Sequence, residues 1–450
     1  MIEMSLAELS VALAGPKSES NERFKGVSIN SRNIQPNNLF IALKGEKFDG
    51  HDYVYDAAIK GAKAAIVKKL CRKANLPQLI VKDTSTALAR LGEYWRAKFT
   101  MPVVGITGSV GKTTVKEMIG SILNQTGSCV ISEGNMNNEI GLPLTLFKIG
   151  GKTKFVVLEM GAAKVGDIEY LAKLAKPDIG VITCCAPAHL KNFKSLENIA
   201  LTKGALVSNL SLQGTAILNR EDYFFERWCK MRSSSNMISF GESGQCFSSE
   251  VVVKRDSSTF CLNYNSERQK INIQHPGQHN IKNALAAAAA SFALGLGFKT
   301  IKNGLAAAPK IPGRLFWIRK KNVNILDDSY NANPQALNAA IDTLSTERGE
   351  KWVVFGDMLE LGATTQKFHD ESVVKMNNAD ITRLFAIGRF SGQATMYFQK
   401  ESEIFSDLNK LIIRLKQLIN KAEPKVSILV KGSRATNLDL VVKAIREADI

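Results

Sequence analysis

Between residues 98 and 311, apolar runs alternate with stretches of helical spacing. The runs are "MPVVGIT", "KFVVLEMG", "DIGVITCC" and "GTAILN". Strands that alternate with helices predict a mostly parallel sheet with helices on both faces. Within this region residues 239–277 read as strands with little helix, a small antiparallel insertion. The pattern restarts near "PKIPGRLFWI". There "VNILDDSY", "KWVVFGD", "RLFAIG" and "VSILVKG" predict further strands, each followed by a helix-like run, in a second α/β unit of domain size. Asn333 is placed to cap the first helix of that unit, with Pro334 at its first helical position. Residues 1–97 hold short strands and dense turn punctuation such as "QPNN" and "FDGH". "KGAKAAIVKKLCRKANL", residues 60–76, predicts a helix and a strand with basic flanks. The expected division is therefore 1–97, 98–311 and 312–450, an α/β protein of three domains.

A length of 450 residues fits two or three domains, and 45% apolar with 22% charged residues supports folded cores throughout. The net charge of +17 could serve nucleic acid, an anionic membrane surface or a small anionic substrate. No run of Lys and Arg is interleaved with aromatics as single-strand binding requires, so a basic, solvated surface is the expectation, without a nucleic-acid partner. None of the seven cysteines forms CxxC, and Cys184 and Cys185 are adjacent, which disfavours a bridge between them. No zinc site or disulfide framework is visible. The start "MIEMSLAELSVALAG" is acidic and lacks the layout of a signal peptide. The alanine-rich run 283–297 is too short to span a membrane and suits a buried helix, so a cytoplasmic protein without stable membrane insertion is expected.

"GITGSVGKTT", residues 105–114, follows a strand and opens a helix. Gly105, Gly108 and Gly111 let backbone N–H groups turn toward phosphate oxygens, with Ser109 and Thr114 in the same loop. Lys112 supplies a point charge for β/γ-phosphates, Thr113 an oxygen for Mg²⁺, and the helix the positive end of its dipole. Ile106 stands where the strict phosphate-loop spacing asks for Gly. Such a loop does not name a reaction. Glu159 just past a strand and His189 beyond the next lie where open α/β sheets place ligands, and a Glu oxygen suits Mg²⁺. Lys203 falls on a helix after them. Each of these has an ordinary structural reading alone. His279, Asn280 and Asn283 open the alanine-rich helix, either as caps or as amides for a purine edge. Arg314 sits at a domain junction, placed to touch a phosphate from the far side. Asp327 and Asp328 end a strand, where one could hold a ribose hydroxyl. Lys431, Ser433 and Arg434 follow the last clear strand, an anchor for a carboxylate.

Taken in order, "GITGSVGKTT", "EGNMNNEIGLPLTL", "LEMGAAKVGDIEYLAKLAKPDIGVIT", "AHLKNF", "TKGAL", "GQHNIKNALAA", "GRL", "DDSYNANP", "GDMLELG" and "KGSR" resemble the Mur ligases of peptidoglycan synthesis. The resemblance covers nearly the whole chain. "LDDSYNANP" and "FGDMLELG" point to the branch that joins D-alanyl-D-alanine to a UDP-N-acetylmuramoyl-tripeptide. It implies a UDP-substrate domain, a central ATPase domain with the phosphate loop, and a C-terminal Rossmann-like domain. It implies that Lys112 binds ATP phosphates, that Thr113 and Glu159 serve one Mg²⁺ and His189 a second, and that Lys203 is carbamylated into a metal ligand. It further implies Asn280 and Asn283 at the adenine, Arg314 at the γ-phosphate and Asp328 at the ribose. Ser31, Arg32, Asn137 and Asn138 would meet the UDP-linked substrate, with Asp327, Tyr330, Asn331 and Lys431 on the substrate side. Family members carry Glu after the "KG" of Lys203 and Gly204, where this chain has Ala205. The family also implies a monomer. Alternatives are a sister or folylpolyglutamate-type ligase adding one amino acid, a nucleotide-gated binding protein without catalysis, and a nucleic-acid-dependent ATPase.

Overall fold

In a computed structural model, which describes residues 1–15, 19–232, 236–422 and 425–448, the central apolar runs pair into one six-stranded parallel sheet. Its order is Met237–Phe240, Thr215–Asn219, Ile179–Ile182, Val103–Thr107, Phe155–Glu159, Cys129–Ile131. The inner strands are near-continuously apolar because helices cover both faces. Successive side chains feed opposite cores. Val103, Val156 and Leu158 pack on one side with Leu171 and Leu206, from helices Asp167–Ala175 and Leu196–Ser208. Val104, Ile106 and Val157 pack on the other with Ile119 and Ala288. There the alanine-rich helix Gln278–Ala293 lies directly on helix Lys112–Leu123, its small side chains letting the two approach closely. The strand Val103–Thr107 lies between strands reached from opposite directions, so a crevice opens at its carboxyl end.

The second α/β unit forms another six-stranded sheet, ordered Phe316–Arg319, Val323–Asp327, Val426–Lys431, Lys351–Gly356, Arg383–Ile387, Glu401–Phe405. Only the first of these strands runs antiparallel to its neighbour. The first helix after strand Val323–Asp327, Pro334–Ser345, begins as its sequence requires: the Ala336 N–H donates to Asn333 Oδ1 at 2.9 Å. The amino-terminal residues build a four-stranded parallel sheet, Val27–Ser28, Leu39–Ile41, Ala64–Val67, Gln78–Ile80, beside the antiparallel pair Glu3–Ser5 and Arg23–Lys25.

Three expectations need correction. The antiparallel insertion consists of Phe247–Val253, Ser258–Tyr264 and Glu267–Ile273; Ser239 and Phe240 belong to the parallel sheet, paired with Leu218 and Asn219. Within residues 60–76 the strand is Ala64–Val67, and the helix lies before it, at Val54–Ile59. The C-terminal sheet also has the edge strands Phe316–Arg319, apolar at Phe316, Trp317 and Ile318 but only half-buried, and Glu401–Phe405, which is largely exposed and lacks an apolar run.

Candidate active site

The crevice is the floor of a cleft of about 1830 Å³ lined from both α/β units and from helix Thr84–Ala97. Its phosphate loop depends on two glycines. Gly108 has φ +152°, and a Cβ there would stand 1.8 Å from Thr183 Oγ1. Gly111 has φ +86°, and a Cβ would meet Asn283 Oδ1 at 2.5 Å. Both conformations favour glycine and bring the backbone close to its neighbours. The loop is tied to the next strand's end: the Ser109 N–H donates to the Cys184 carbonyl at 2.9 Å, and Ser109 Oγ donates to the Ala186 carbonyl at 2.8 Å. Lys112 opens the helix and donates to the Gly108 carbonyl at 2.7 Å. Its ammonium is shielded by the cleft walls, and this burial lowers its pKa while Glu159 opposes the shift. Thr114 lines the cleft; Thr113 is buried in the helix's first turn and does not.

Glu159 ends its strand with 2% exposure. Its Oε1 accepts from Asn137 Nδ2 at 2.8 Å, and its N–H donates to Ser132 Oγ at 3.2 Å. Its buried Oε2 has no hydrogen-bond partner. Lys203, 5% exposed, is brought down to a pKa of about 7, first by burial and then by the charge of Lys112. At that value much of the amine is neutral near pH 7. His189 has φ +54° and sits at the start of the short helix Leu190–Phe193. Its buried Nδ1 is in ion-pair contact with the Glu360 carboxylate of the C-terminal unit, without the alignment of a hydrogen bond.

Among the described residues no cluster of three or more His, Cys, Asp or Glu could cage a metal. The donor set instead fits Mg²⁺, which takes one or two carboxylates together with substrate phosphates. An unpartnered carboxylate oxygen beside a phosphate loop is the kind of ligand required. Lys203 as an ammonium could not ligate a cation; carbamylated, it would offer a carboxylate-like oxygen that suits Mg²⁺.

From the far wall, Arg314 lies over the Tyr330 ring, 4.3 Å from its centroid. The loop after strand Val323–Asp327 grips the backbone on both sides of it. Gly313 N–H donates to Asp327 Oδ2 at 3.0 Å, and Leu315 N–H to Asp328 Oδ1 at 3.1 Å. Asp327 Oδ1 also accepts from Ser329, so both oxygens are used within the fold, and Asp327 does not line the cleft. Asp328 does line it, and its Oδ2 pairs with the buried Lys431, which donates also to the Asn331 carbonyl at 3.0 Å. Asn331 and Tyr330 line the same wall. Ser433 Oγ accepts from the Leu359 N–H at 2.8 Å, and Arg434 pairs with Asp439.

Asn280 and Asn283 face the cleft from the alanine-rich helix without capping it: Asn280 Nδ2 donates to the Pro276 carbonyl and Asn283 Nδ2 to Asn280 Oδ1. His279 is pushed down to a pKa of about 4 by burial. Asn138 Oδ1 accepts from the N–H of Gly141, the first residue of helix Gly141–Leu146, at 2.9 Å. Ser31 and Arg32 lie apart from this cleft, in a short 3-10 turn of the amino-terminal unit. Asn137's grip on Glu159 and Glu360's contact with His189 were not read from sequence. "GDMLELG" was the only signal for the second, as a motif without an assigned task.

Comparison with known proteins covers the chain. Family models described as "Mur ligase family, catalytic domain", "Mur ligase middle domain" and "Mur ligase, glutamate ligase domain" match residues 23–96, 106–291 and 313–434. The chain is 37% identical to the UDP-N-acetylmuramoyl-tripeptide--D-alanyl-D-alanine ligase of Escherichia coli (strain K12), over 99% of each chain. Its structure is similar to that of MurF from Acinetobacter baumannii, with a TM-score of 0.93, 32% identity and 100% of each chain covered. It is also similar to the MurF ligase from Thermotoga maritima in complex with ADP: TM-score 0.83, 28% identity, 94% of this chain and 97% of that one.

Proposed function

The chain belongs to the Mur ligase family, and we infer from this, with the cleft just described, that it is the ATP-dependent ligase joining D-alanyl-D-alanine to UDP-N-acetylmuramoyl-tripeptide. The observation that carries the reading is the opposition of two walls. The phosphate loop, Glu159 and Lys203 line one side of a single cleft, and Arg314 is held on the other by Asp327 and Asp328.

A carboxylate is a poor acceptor for an amine, because attack would expel oxide. In the reaction a terminal carboxylate oxygen of the tripeptide attacks the γ-phosphorus of ATP, the bond to ADP breaks, and an acyl phosphate forms. The dipeptide amine then attacks the acyl carbon. Its proton leaves, the tetrahedral intermediate expels inorganic phosphate, and an amide remains. The chain's part is positioning and charge. Lys112 and the loop N–H groups offset charge on the moving phosphoryl group, and Arg314 adds to this from the opposite wall. Glu159 would hold one Mg²⁺, and His189 with a carbamylated Lys203 a second. Magnesium supplies Lewis-acid screening of phosphoryl oxygens when bound. Carbamylation joins the neutral Lys203 amine to CO₂ with loss of a proton, and the pKa of about 7 supports it. Asn280 and Asn283 are assigned to the adenine and Asp328 to the ribose. Ser31, Arg32, Asn137, Asn138, Tyr330, Asn331 and Lys431 are assigned to the substrates.

We assign residues 1–97 to the UDP-linked substrate, 98–311 to ATP and 312–450 to completing the site. The reaction is placed in the cytoplasm, and no helix among the described residues is long and apolar enough to cross a membrane. A single chain is taken as the working unit. The test is phosphate release from ATP and Mg²⁺ with UDP-N-acetylmuramoyl-tripeptide, with and without D-alanyl-D-alanine. Release that needs both, with a product heavier by the dipeptide residue, is expected. Turnover with free amino acids in preference to the dipeptide would assign the chain to a sister activity instead.

A further inference from the structure

The loop 357–361, after strand Lys351–Gly356, belongs to the C-terminal unit, yet its Glu360 reaches the central one. Glu360 is a non-glycine residue at φ +65°, and its backbone carbonyl accepts from the Lys191 N–H at 3.0 Å. Its carboxylate lies against His189 Nδ1. The loop is held from behind. The Met358 N–H donates to His369 Nε2 at 2.8 Å, and Nδ1 of that fully buried ring donates to the Thr365 carbonyl at 2.7 Å. The Leu359 N–H donates to Ser433 Oγ at 2.8 Å, and the Ser433 N–H returns to the Asp357 carbonyl at 3.0 Å. A charged side chain in an uncommon backbone conformation is thus aimed across the junction at one ring nitrogen. The two ring nitrogens of a histidine are distinct, and the partner of one fixes what the other can do.

We propose that Glu360 is a positioning residue for the ligation reaction: its carboxylate accepts the Nδ1–H of His189, so that the Nε2 lone pair is left for a divalent cation in the cleft. The inference rests on the reading of His189 as a cation-binding residue. Because the two groups come from different units, His189 is held this way only while the units are docked. Carboxylates that hold metal-binding histidines in this manner are worth about 10–100-fold in metal affinity or activity.

The test uses full-length protein with ADP and Mn²⁺, free Mn²⁺ being followed by electron paramagnetic resonance. Glu360→Ala should weaken Mn²⁺ binding about 10-fold or more. Glu360→Gln, which keeps the length of the side chain and a neutral acceptor, should recover part of the loss. In a His189→Ala background, Glu360→Ala should cause no further loss, since it acts through the ring. Wild-type Mn²⁺ affinity in Glu360→Ala would overturn the inference. So would losses that multiply in the double variant, because Glu360 would then act by another route. If His189→Ala itself leaves Mn²⁺ affinity unchanged, the assignment of His189 to the cation falls and the inference falls with it. A loss in His189→Ala without one in Glu360→Ala defeats the inference alone.

Discussion

Gly108 and Lys203 are two single positions whose surroundings constrain them closely. At Gly108 any side chain would collide with Thr183 Oγ1, 1.8 Å from the ideal Cβ, in a backbone conformation that L residues rarely adopt. Gly108→Ala should therefore cost about 1–3 kcal/mol of strain and distort the loop. A fall in ADP affinity of at least about tenfold, read by calorimetry, is expected from a distortion worth 1.4 kcal/mol or more. Unchanged ADP affinity would mean that this loop does not hold the phosphates. Lys203 is buried beside another ammonium, an environment that penalises its own charge. A role for it as a cation is hard to reconcile with that cost; a role as a carbamate is not. Lys203→Ala should lack turnover and regain part of it with a short carboxylic acid, which can occupy the place of the carbamate. No rescue, together with an unmodified Lys203 in crystals grown at high bicarbonate, would count against carbamylation. Ala205, where the family has Glu, lies on the same helix but does not line the cleft.

Among the elements, the clearest sequence signal is the start of helix Pro334–Ser345, where the cap, the proline and the first apolar residue are adjacent in the chain. Asn333→Ala should cost about 1 kcal/mol in urea unfolding, the usual worth of such a cap. An unchanged midpoint would show that the Ala336 N–H finds another acceptor. The central strands were legible for a related reason. Val103–Thr107 and Ile179–Ile182 are buried throughout, so burial alone writes them as apolar runs. Edge strands are marked less clearly: Glu401–Phe405 is largely exposed and polar in part, and Cys129–Ile131 is apolar but only three residues long and half-buried. Ser239 and Phe240 look like the start of the insertion, because their partners Leu218 and Asn219 are not local in sequence. The site divides the same way. Lys112, Glu159, His189 and Lys203 could be placed together from motif and strand ends, and they line one cleft. Asp327's grip on Gly313 and Glu360's contact with His189 could not be placed, because they depend on how distant segments pack.

At the scale of the whole molecule, the cleft is complete only while the C-terminal unit stays against the central one. Arg314→Ala should therefore keep ADP binding and lose most turnover, measured as phosphate release with all three substrates; wild-type turnover would remove Arg314 from the reaction. A second contact between the units lies outside the cleft. Arg255, in the hairpin turn after strand Phe247–Val253, donates through Nε to Glu347 Oε1 at 2.8 Å, and its Nη2 pairs with Oε2. Arg319 of the C-terminal sheet pairs with the same carboxylate at 3.2 Å and with Asp256 at 3.4 Å. The Glu347 side chain is 3% exposed. Burial opposes its ionisation, but the two guanidinium groups overcome this and hold its carboxyl below the ordinary value of 4.5. A buried carboxylate gripped from both units should fasten them together, and losing a buried pair's partner typically costs about 3–5 kcal/mol. Arg255 is half-exposed and Arg319 can turn to solvent, so Glu347→Gln should fall at or below the lower end of that range. The pH dependence has a definite sign. The folded-state carboxyl titrates below the unfolded one, so its contribution is fully present above about pH 4.5 and is lost as pH falls through the folded value. Thermal unfolding of wild type and Glu347→Gln should therefore differ by a constant amount at neutral pH, and the gap should close in acid. A gap that persists unchanged to about pH 3 would mean that Glu347 contributes shape rather than charge. Arg255→Ala separates the two uses of the cluster. It leaves Glu347 its bond to Arg319 inside the C-terminal unit and removes the stronger of the two ties to the hairpin, the Arg319 pairing with Asp256 remaining. The protein should then expand by small-angle scattering without nucleotide, while the C-terminal unit keeps its own stability; scattering identical to wild type would show that the cleft-side contacts and the Arg319–Asp256 pair hold the units without Arg255.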